Sequence, residues 1–249
     1  MIILLTNDDG IGAPGLASVE HAVMAAADSF GNPRIVTVAP AFPHSGASRA
    51  VTMNRPVRCE EVGPDRFQLD GTPADCVTWA LKFLISDPVG AAISGINHGP
   101  NLGHDVTYSG TVSAALEAAR AGIPSLAISL AADSFHDFSH AATFTVEALR
   151  RLIEHRPPPG VAVSVNVPGG KPKGVRVTRP GARTYADNVI ERTDPFGRSY
   201  YWLAGDGRLG GAMEPGTDIL AVAEGFISIS ALDSDLHAPY TDLSSWQTT

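Results

Sequence analysis

Only two cysteines occur in the 249 residues, Cys59 and Cys76, with no CxxC spacing and no histidine cluster beside them. That argues against thiolate metal sites and disulfide scaffolds, and two reduced, packed thiols are the expectation. Basic residues are outnumbered, 18 Lys and Arg against 26 Asp and Glu, for a formal net charge of −8. Such a chain lacks the basic surface that binds long nucleic acid through its backbone. A small anionic substrate stays open, because one bound cation inverts the local field. No stretch approaches a membrane span, and the opening run Met1–Thr6 is too short for a signal segment and has no basic residues before it. A cytoplasmic protein is expected. There is also no GxxxxGKS/T phosphate loop, no GxSxG elbow and no internal repeat. These absences weaken the NTPase and serine-hydrolase readings.

What is present alternates between apolar runs and amphipathic stretches. Ile2–Thr6 and Arg34–Ala39 are short β-branched runs that read as strands buried on both faces, with an Ala-rich helix over Leu16–Ala27 between them. Val51–Met53, Val57–Cys59 and Phe67–Leu69 read as short strands of a protruding flap. Thr72-Pro73-Ala74-Asp75 has the order of a cap, an N1 proline and a reciprocal N3 carboxylate, so a helix is expected from there to about Ile85. Strands at Ala91–Ile96, Ser125–Leu130 and Val161–Val167 alternate with helices at Thr111–Ala121 and Phe138–His155. Beyond about Pro168 helical periodicity fades, and Asn188–Thr193 and Ser199–Leu203 flank the turn Asp194-Pro195-Phe196-Gly197. Phe226–Leu232 reads as a last strand. The fold class is α/β: a Rossmann-like, mostly parallel sheet flanked by helices, with a C-terminal β-hairpin extension. The expected organisation is one domain over 1–249, with a core to about 178 and an oligomerisation extension over about 179–249.

Ligands of open α/β sheets sit at the carboxyl ends of the strands. Strand 1 ends in Asn7-Asp8-Asp9-Gly10, strand 2 leads to His44-Ser45-Gly46, and the Ala91–Ile96 strand ends at Asn97. Adjacent carboxylates are costly there unless a proton or a cation neutralises them. Asp8 and Asp9, with a hydroxyl from Ser45 and an amide oxygen from Asn97, make a sulfur-free oxygen set that suits Mg²⁺ or Mn²⁺. A lone Asp at this place would be read as a helix cap; two lean toward function. The small residues Ser109-Gly110-Thr111 start a helix, and a helix start presents free N–H groups to an anion. His44, His98 and His104 are weaker candidates for a general acid. Gly10-Ile11-Gly12-Ala13-Pro14-Gly15 also matches the dinucleotide pattern GxGxxG, but the carboxylates before it and the acid-free end of strand 2 oppose that reading.

At these residues the chain resembles the SurE family of stationary-phase survival nucleotidases. The resemblance rests on Thr6–Ile11, Ser45–Ser48, Asp70–Val77, Ser94–Gly103, Tyr108–Val112 and Asp194–Trp202, in family order over nearly the whole chain. It implies a divalent-metal phosphatase of nucleoside 5′- and 3′-monophosphates, with short polyphosphate as a further substrate in some members. It also implies metal ligands at Asp8, Asp9, Ser45 and Asn97, and a homodimer or homotetramer built by the C-terminal extension. The segment Ala41-Phe42-Pro43-His44 departs from the polar residues that the family often carries there. The expected chemistry is attack of water on a phosphate monoester at the metal, with Asp8 and Asp9 as catalytic residues. Asn101, Ser109, Gly110 and Thr111 would bind phosphate. Rival readings are an aspartyl-phosphate route, a non-catalytic nucleotide-binding protein and a nicotinamide oxidoreductase using residues 10–15.

Overall fold

The structure, a computed structural model, describes residues 1–132, 137–182, 188–204 and 212–236. Its first half follows the apolar runs closely. Strands β1 (Ile2–Thr6), β2 (Arg34–Pro40), β5 (Val89–His98), β6 (Ser125–Ala131) and β7 (Val161–Pro168) form the centre of a sheet. In it β2, β1, β5, β6 and β7 lie side by side and parallel. Two short strands, β3 (Cys59–Gly63) and β4 (Arg66–Leu69), extend the β2 edge, with β4 parallel to β2 and β3 antiparallel to β4. The far edge carries β8 (Val175–Val177) and β11 (Ile227–Asp233), so the full order is β3-β4-β2-β1-β5-β6-β7-β11-β8.

Helices cover both faces, which is why the central strands read as continuous apolar runs. Helices α1 (Pro14–Ala25) and α4 (Ser139–Glu154) pack on Ile3, Leu5, Ile93 and Ile128. The other face takes α2 (Pro73–Trp79) against Leu4, Val36 and Val38, and α3 (Gly110–Arg120) against Ala127 and Ala162. Each fully buried Leu or Ile contributes roughly 1.5–3 kcal/mol relative to an exposed one.

Differences from the sequence expectation have local causes. Val51–Met53 forms no strand; its backbone is held instead by side chains, with Thr52 N–H donating to Asp75 and Thr72 Oγ1 donating to the Ala50 carbonyl. The Val57–Cys59 strand begins only at Cys59. The capping box at Thr72 and Asp75 is formed, but the helix continues past Trp79 as a π turn over Ala80–Leu84. A short helix, α5 (Asp218–Ala223), lies in the region where no helical periodicity is visible. The strands β9 (Asn188–Thr193) and β10 (Ser199–Ala204) pair antiparallel in a separate two-stranded sheet, as expected of a hairpin. The chain then returns to place β11 antiparallel beside β7.

Sequence order reverses between β1 and β5: the chain runs outward to β2 on one side and crosses back to β5 on the other. That switch point opens a crevice at the strand ends, where the polar loops lie.

Candidate active site

A cavity of 620 Å³ opens at the switch point, within the range of sites for small ligands. Asp8, Ser45, Asn97, Asn101, Ser109 and Leu203 all line it. The three loops read as sharing one rim therefore meet in one place.

Each loop is fastened to its neighbours. After β1, the Asn7 side chain bridges the turn, donating to the Gly10 carbonyl (2.9 Å) and accepting the Gly10 N–H (3.2 Å). This local closure fixes the backbone that carries Asp8 and Asp9. The Asp8 carbonyl accepts the His44 N–H at 2.7 Å, which docks the loop carrying Ser45. The same loop is tied to the far wall by Ser48, whose N–H and Oγ donate to the Tyr108 and Thr107 carbonyls.

Asp8 is 3 % exposed. Burial raises its pKa above the ordinary value, the hydrogen bond from Thr111 works against that, and the Asp9 charge raises it further. Asp9 is partly buried, with its pKa also raised by burial and lowered in part by the His98 N–H that donates to Oδ2 at 3.0 Å. Two carboxylates held in this state favour whatever neutralises them.

The surroundings add further oxygen atoms beside the two carboxylates. Asn97 turns its Nδ2 away to the Gly99 carbonyl (2.8 Å), which leaves its Oδ1 near Thr111 Oγ1 at 3.3 Å. Thr111 Oγ1 also donates to Asp8 Oδ1, so one hydroxyl sits between two oxygens of the expected ligand set. Among the described residues no three His, Cys, Asp or Glu side chains cluster as a metal site. A cation would therefore rely on two carboxylates completed by neutral oxygens, and that hard donor set fits Mg²⁺ or Mn²⁺.

The start of α3 lies against this group. A Cβ at Gly110 would stand 2.8 Å from Asp8 Cβ and 2.9 Å from Asp8 Oδ2, so only glycine lets the helix start approach the carboxylate this closely. Ser109 caps the helix by accepting the Val112 N–H at 3.0 Å, and it lines the cavity. Thr111 is fully buried and, like Asp9 and Gly110, does not line the cavity. Of the three histidines, His98 lines it, whereas His44 and His104 do not. In the GxGxxG stretch, a Cβ at Gly15 would stand 1.9 Å from the Ile96 carbonyl oxygen. That glycine lets α1 pack on β5, a structural use of the pattern that needs no dinucleotide.

Several residues of the site are absent from the sequence reading. Asp105 lines the cavity, and its carbonyl accepts the Tyr108 and Ser109 N–H groups. Asn166 and Ser129 hold Asn101 from below, and the buried Asp218 carboxylate accepts the Gly103 and Gly181 N–H groups, both at 2.8 Å. A polar residue inside an apolar strand is the signal that could have found Asn166 and Ser129, since buried polar groups are there to be bonded.

Comparison with known proteins agrees with this fold. The family model "Survival protein SurE" matches residues 3–187. The "5'-nucleotidase SurE" of Anaeromyxobacter dehalogenans (strain 2CP-C) is 43% identical over 250 residues, covering 99% of this chain and 96% of that protein. The protein of the same name from Desulforudis audaxviator is 45% identical over 243 residues, covering 95% and 93%. The crystal structure of the SurE protein from Aquifex aeolicus superposes with a TM-score of 0.83 at 35% identity, over 98% of each chain. The chain belongs to the SurE family.

Proposed function

We propose that this protein is a 5′-nucleotidase that hydrolyses nucleoside monophosphates to nucleoside and phosphate, with 3′-monophosphates and short polyphosphate as further substrates. The observation that carries the reading is the meeting of Asp8, Asn97 and Ser109, the cap of α3, in one nucleotide-sized cavity. The relatives' name, 5'-nucleotidase, supports the same activity.

One divalent ion per subunit, Mg²⁺ or Mn²⁺, would be held by Asp8, Asp9, Ser45 and Asn97. When bound, it supplies Lewis-acid polarisation of the phosphoryl group and neutralises the carboxylates. The chain itself supplies position. Thr111 holds Asp8 in one rotamer through its hydroxyl, and the His98 N–H does the same for Asp9. Asn101 and Ser109 face the cavity and would hold phosphoryl oxygens, with Gly110 and Thr111 adding the N–H groups and dipole of the helix start. Phosphoryl transfer asks little else of a protein than positioning and charge stabilisation. The chain extension would build a homodimer or homotetramer through the apolar side chains of β10, of which Tyr201, Trp202 and Leu203 are exposed. Both cysteines are free thiols, in keeping with a cytoplasmic location.

The test is a panel of nucleoside 5′- and 3′-monophosphates and tripolyphosphate, with phosphate release measured in Mg²⁺, in Mn²⁺ and in chelator. Release from a 5′-monophosphate only with metal is the expected result. Tight nucleotide binding without release in any metal would overturn the reading and favour a nucleotide sensor.

A further inference from the structure

We infer that Asn166 and Ser129 are positioning residues that set Asn101 for its contact with the phosphate; the inference rests on the nucleotidase reading above. The two lie outside the cavity and on different strands. Asn97, Ser129 and Asn166 are register partners on β5, β6 and β7, so they form a row across three parallel strands under the loop that follows β5.

The row holds one residue of that loop from two directions. Asn166 Oδ1 accepts the Asn101 N–H at 2.8 Å, and Asn166 Nδ2 donates to the Asn101 carbonyl at 3.0 Å. A single amide thus brackets both polar groups of Asn101's own backbone. Ser129 Oγ accepts from Asn101 Nδ2 at 2.8 Å. Asn166, Ser129 and Asn101 are 2 %, 1 % and 7 % exposed, so water does not substitute for these bonds.

The geometry has a chemical consequence. A primary amide carries two N–H groups in one plane. With one directed at Ser129, the rotation of the Asn101 side chain is fixed, and its remaining donor belongs to the cavity that Asn101 lines. Asn166 fixes the backbone from which that side chain extends. Donors aimed in advance at an oxyanion stabilise it without reorganising, and a displacement of about 1 Å can remove most of that benefit. Both residues therefore act through Asn101.

A binding cycle separates this role from general support of the fold. The probe is inorganic phosphate, titrated by calorimetry into the Mg²⁺-loaded protein; this readout needs no turnover. Asn166→Ala and Ser129→Ala are each expected to weaken phosphate about tenfold with the melting transition retained, and Asn101→Ala to weaken it at least as much. In the Asn101→Ala background, either second substitution should add less than about twofold, because residues acting through one group are not additive. Full additivity, or unchanged affinity in both single variants, would overturn the inference and leave a structural role. If Asn101→Ala alone leaves phosphate binding intact, Asn101 is not an anion contact, and the inference falls with that assignment. Should Asn166→Ala fail to fold, the Ser129→Ala cycle decides, since it removes one hydroxyl only.

Discussion

The strand-end rim and the β9–β10 hairpin invert the ordinary distribution of residues in opposite ways. At the rim, polar and charged groups are inside: Asp8, Asn101, Asn166 and Asp218 are all buried. In the hairpin, apolar groups are outside: Phe196 is 82 % and Leu203 74 % exposed, with Val189, Tyr201 and Trp202 also exposed. An exposed apolar cluster and a buried polar one are the informative departures from the usual pattern. The rim balances desolvation with a dense set of hydrogen bonds, which leaves a rigid, pre-aimed site. The hairpin is a two-stranded sheet joined to no other strand among the described residues, and such a unit is marginal alone in water. One region satisfies its polar groups within the chain; the other leaves its apolar side chains exposed.

The largest expected effect is on the rim. Asp8→Asn or Asp9→Asn would remove one of the two charges proposed to hold the cation, and kcat for a nucleoside monophosphate should fall by about 10³ or more with the fold retained. Steady-state kinetics with circular dichroism checks this; turnover within about tenfold of the parent would break the metal reading. Excess chelator should bring the parent to the same floor, with recovery on adding Mg²⁺ or Mn²⁺. If the hairpin's independence from the chemistry is real, hairpin variants keep the metal response unchanged.

Most of the rim was legible in the sequence, because the apolar runs mark the strands and the chemistry sits where they end. Asp8, Ser45, Asn97, Asn101 and Ser109 could be named from motif and position, and the fold lines them all on one cavity. The contacts of the supporting residues were not legible, although Asn166 and Ser129 stand out as polar residues in apolar strands. Asn166 bonds to Asn101 across 65 residues, and Asp218 to Gly103 across 115. The register of β7 creates the first contact and the docking of α5 the second, and no local pattern encodes either. Helix α5 spans six residues, too few for a periodicity to emerge, although its Thr217 cap is a readable start signal. Val51–Met53 has the alternation of a strand, yet Met53 is 83 % exposed, and side-chain bonds to Asp75 and Thr72 replace a ladder.

The next effect belongs to the hairpin. Replacing Tyr201 and Trp202 together with Ser should shift the proposed dimer or tetramer to a smaller species, read by light scattering after size exclusion. An unchanged mass would locate the assembly elsewhere. A smaller effect is expected where the two regions meet. Leu203, on β10, lines the cavity, and Leu203→Ala should raise KM by roughly two- to fivefold with kcat nearly unchanged. A change in kcat without one in KM would mean that the hairpin reaches the chemistry and that the division between the regions is too sharp.

The smallest effect is on stability and follows from the sign of the Asp8 shift. Burial first, and then the Asp9 charge, raise the Asp8 pKa above its ordinary 3.8, despite the opposing bond from Thr111. The folded protein thus keeps that proton to a higher pH than the unfolded chain does. The Asp8 contribution to the stability of the metal-free protein is then fully present below the ordinary carboxylate range, and it is lost as pH rises from there through the raised value. Asp9 adds in the same direction, since burial raises it too. Asp8→Asn removes the Asp8 contribution while its side-chain oxygen still accepts from Thr111. In chelator the variant should melt above the parent at about pH 8 and close to it at about pH 4. Added Mg²⁺ should reverse the order at the higher pH, because an ion held by the proposed site would stabilise the parent by binding its folded state alone. A variant that melts below the parent at both pH values in chelator would mean that Asp8 supports the fold as an ion, and the rim would then be no more strained than the hairpin.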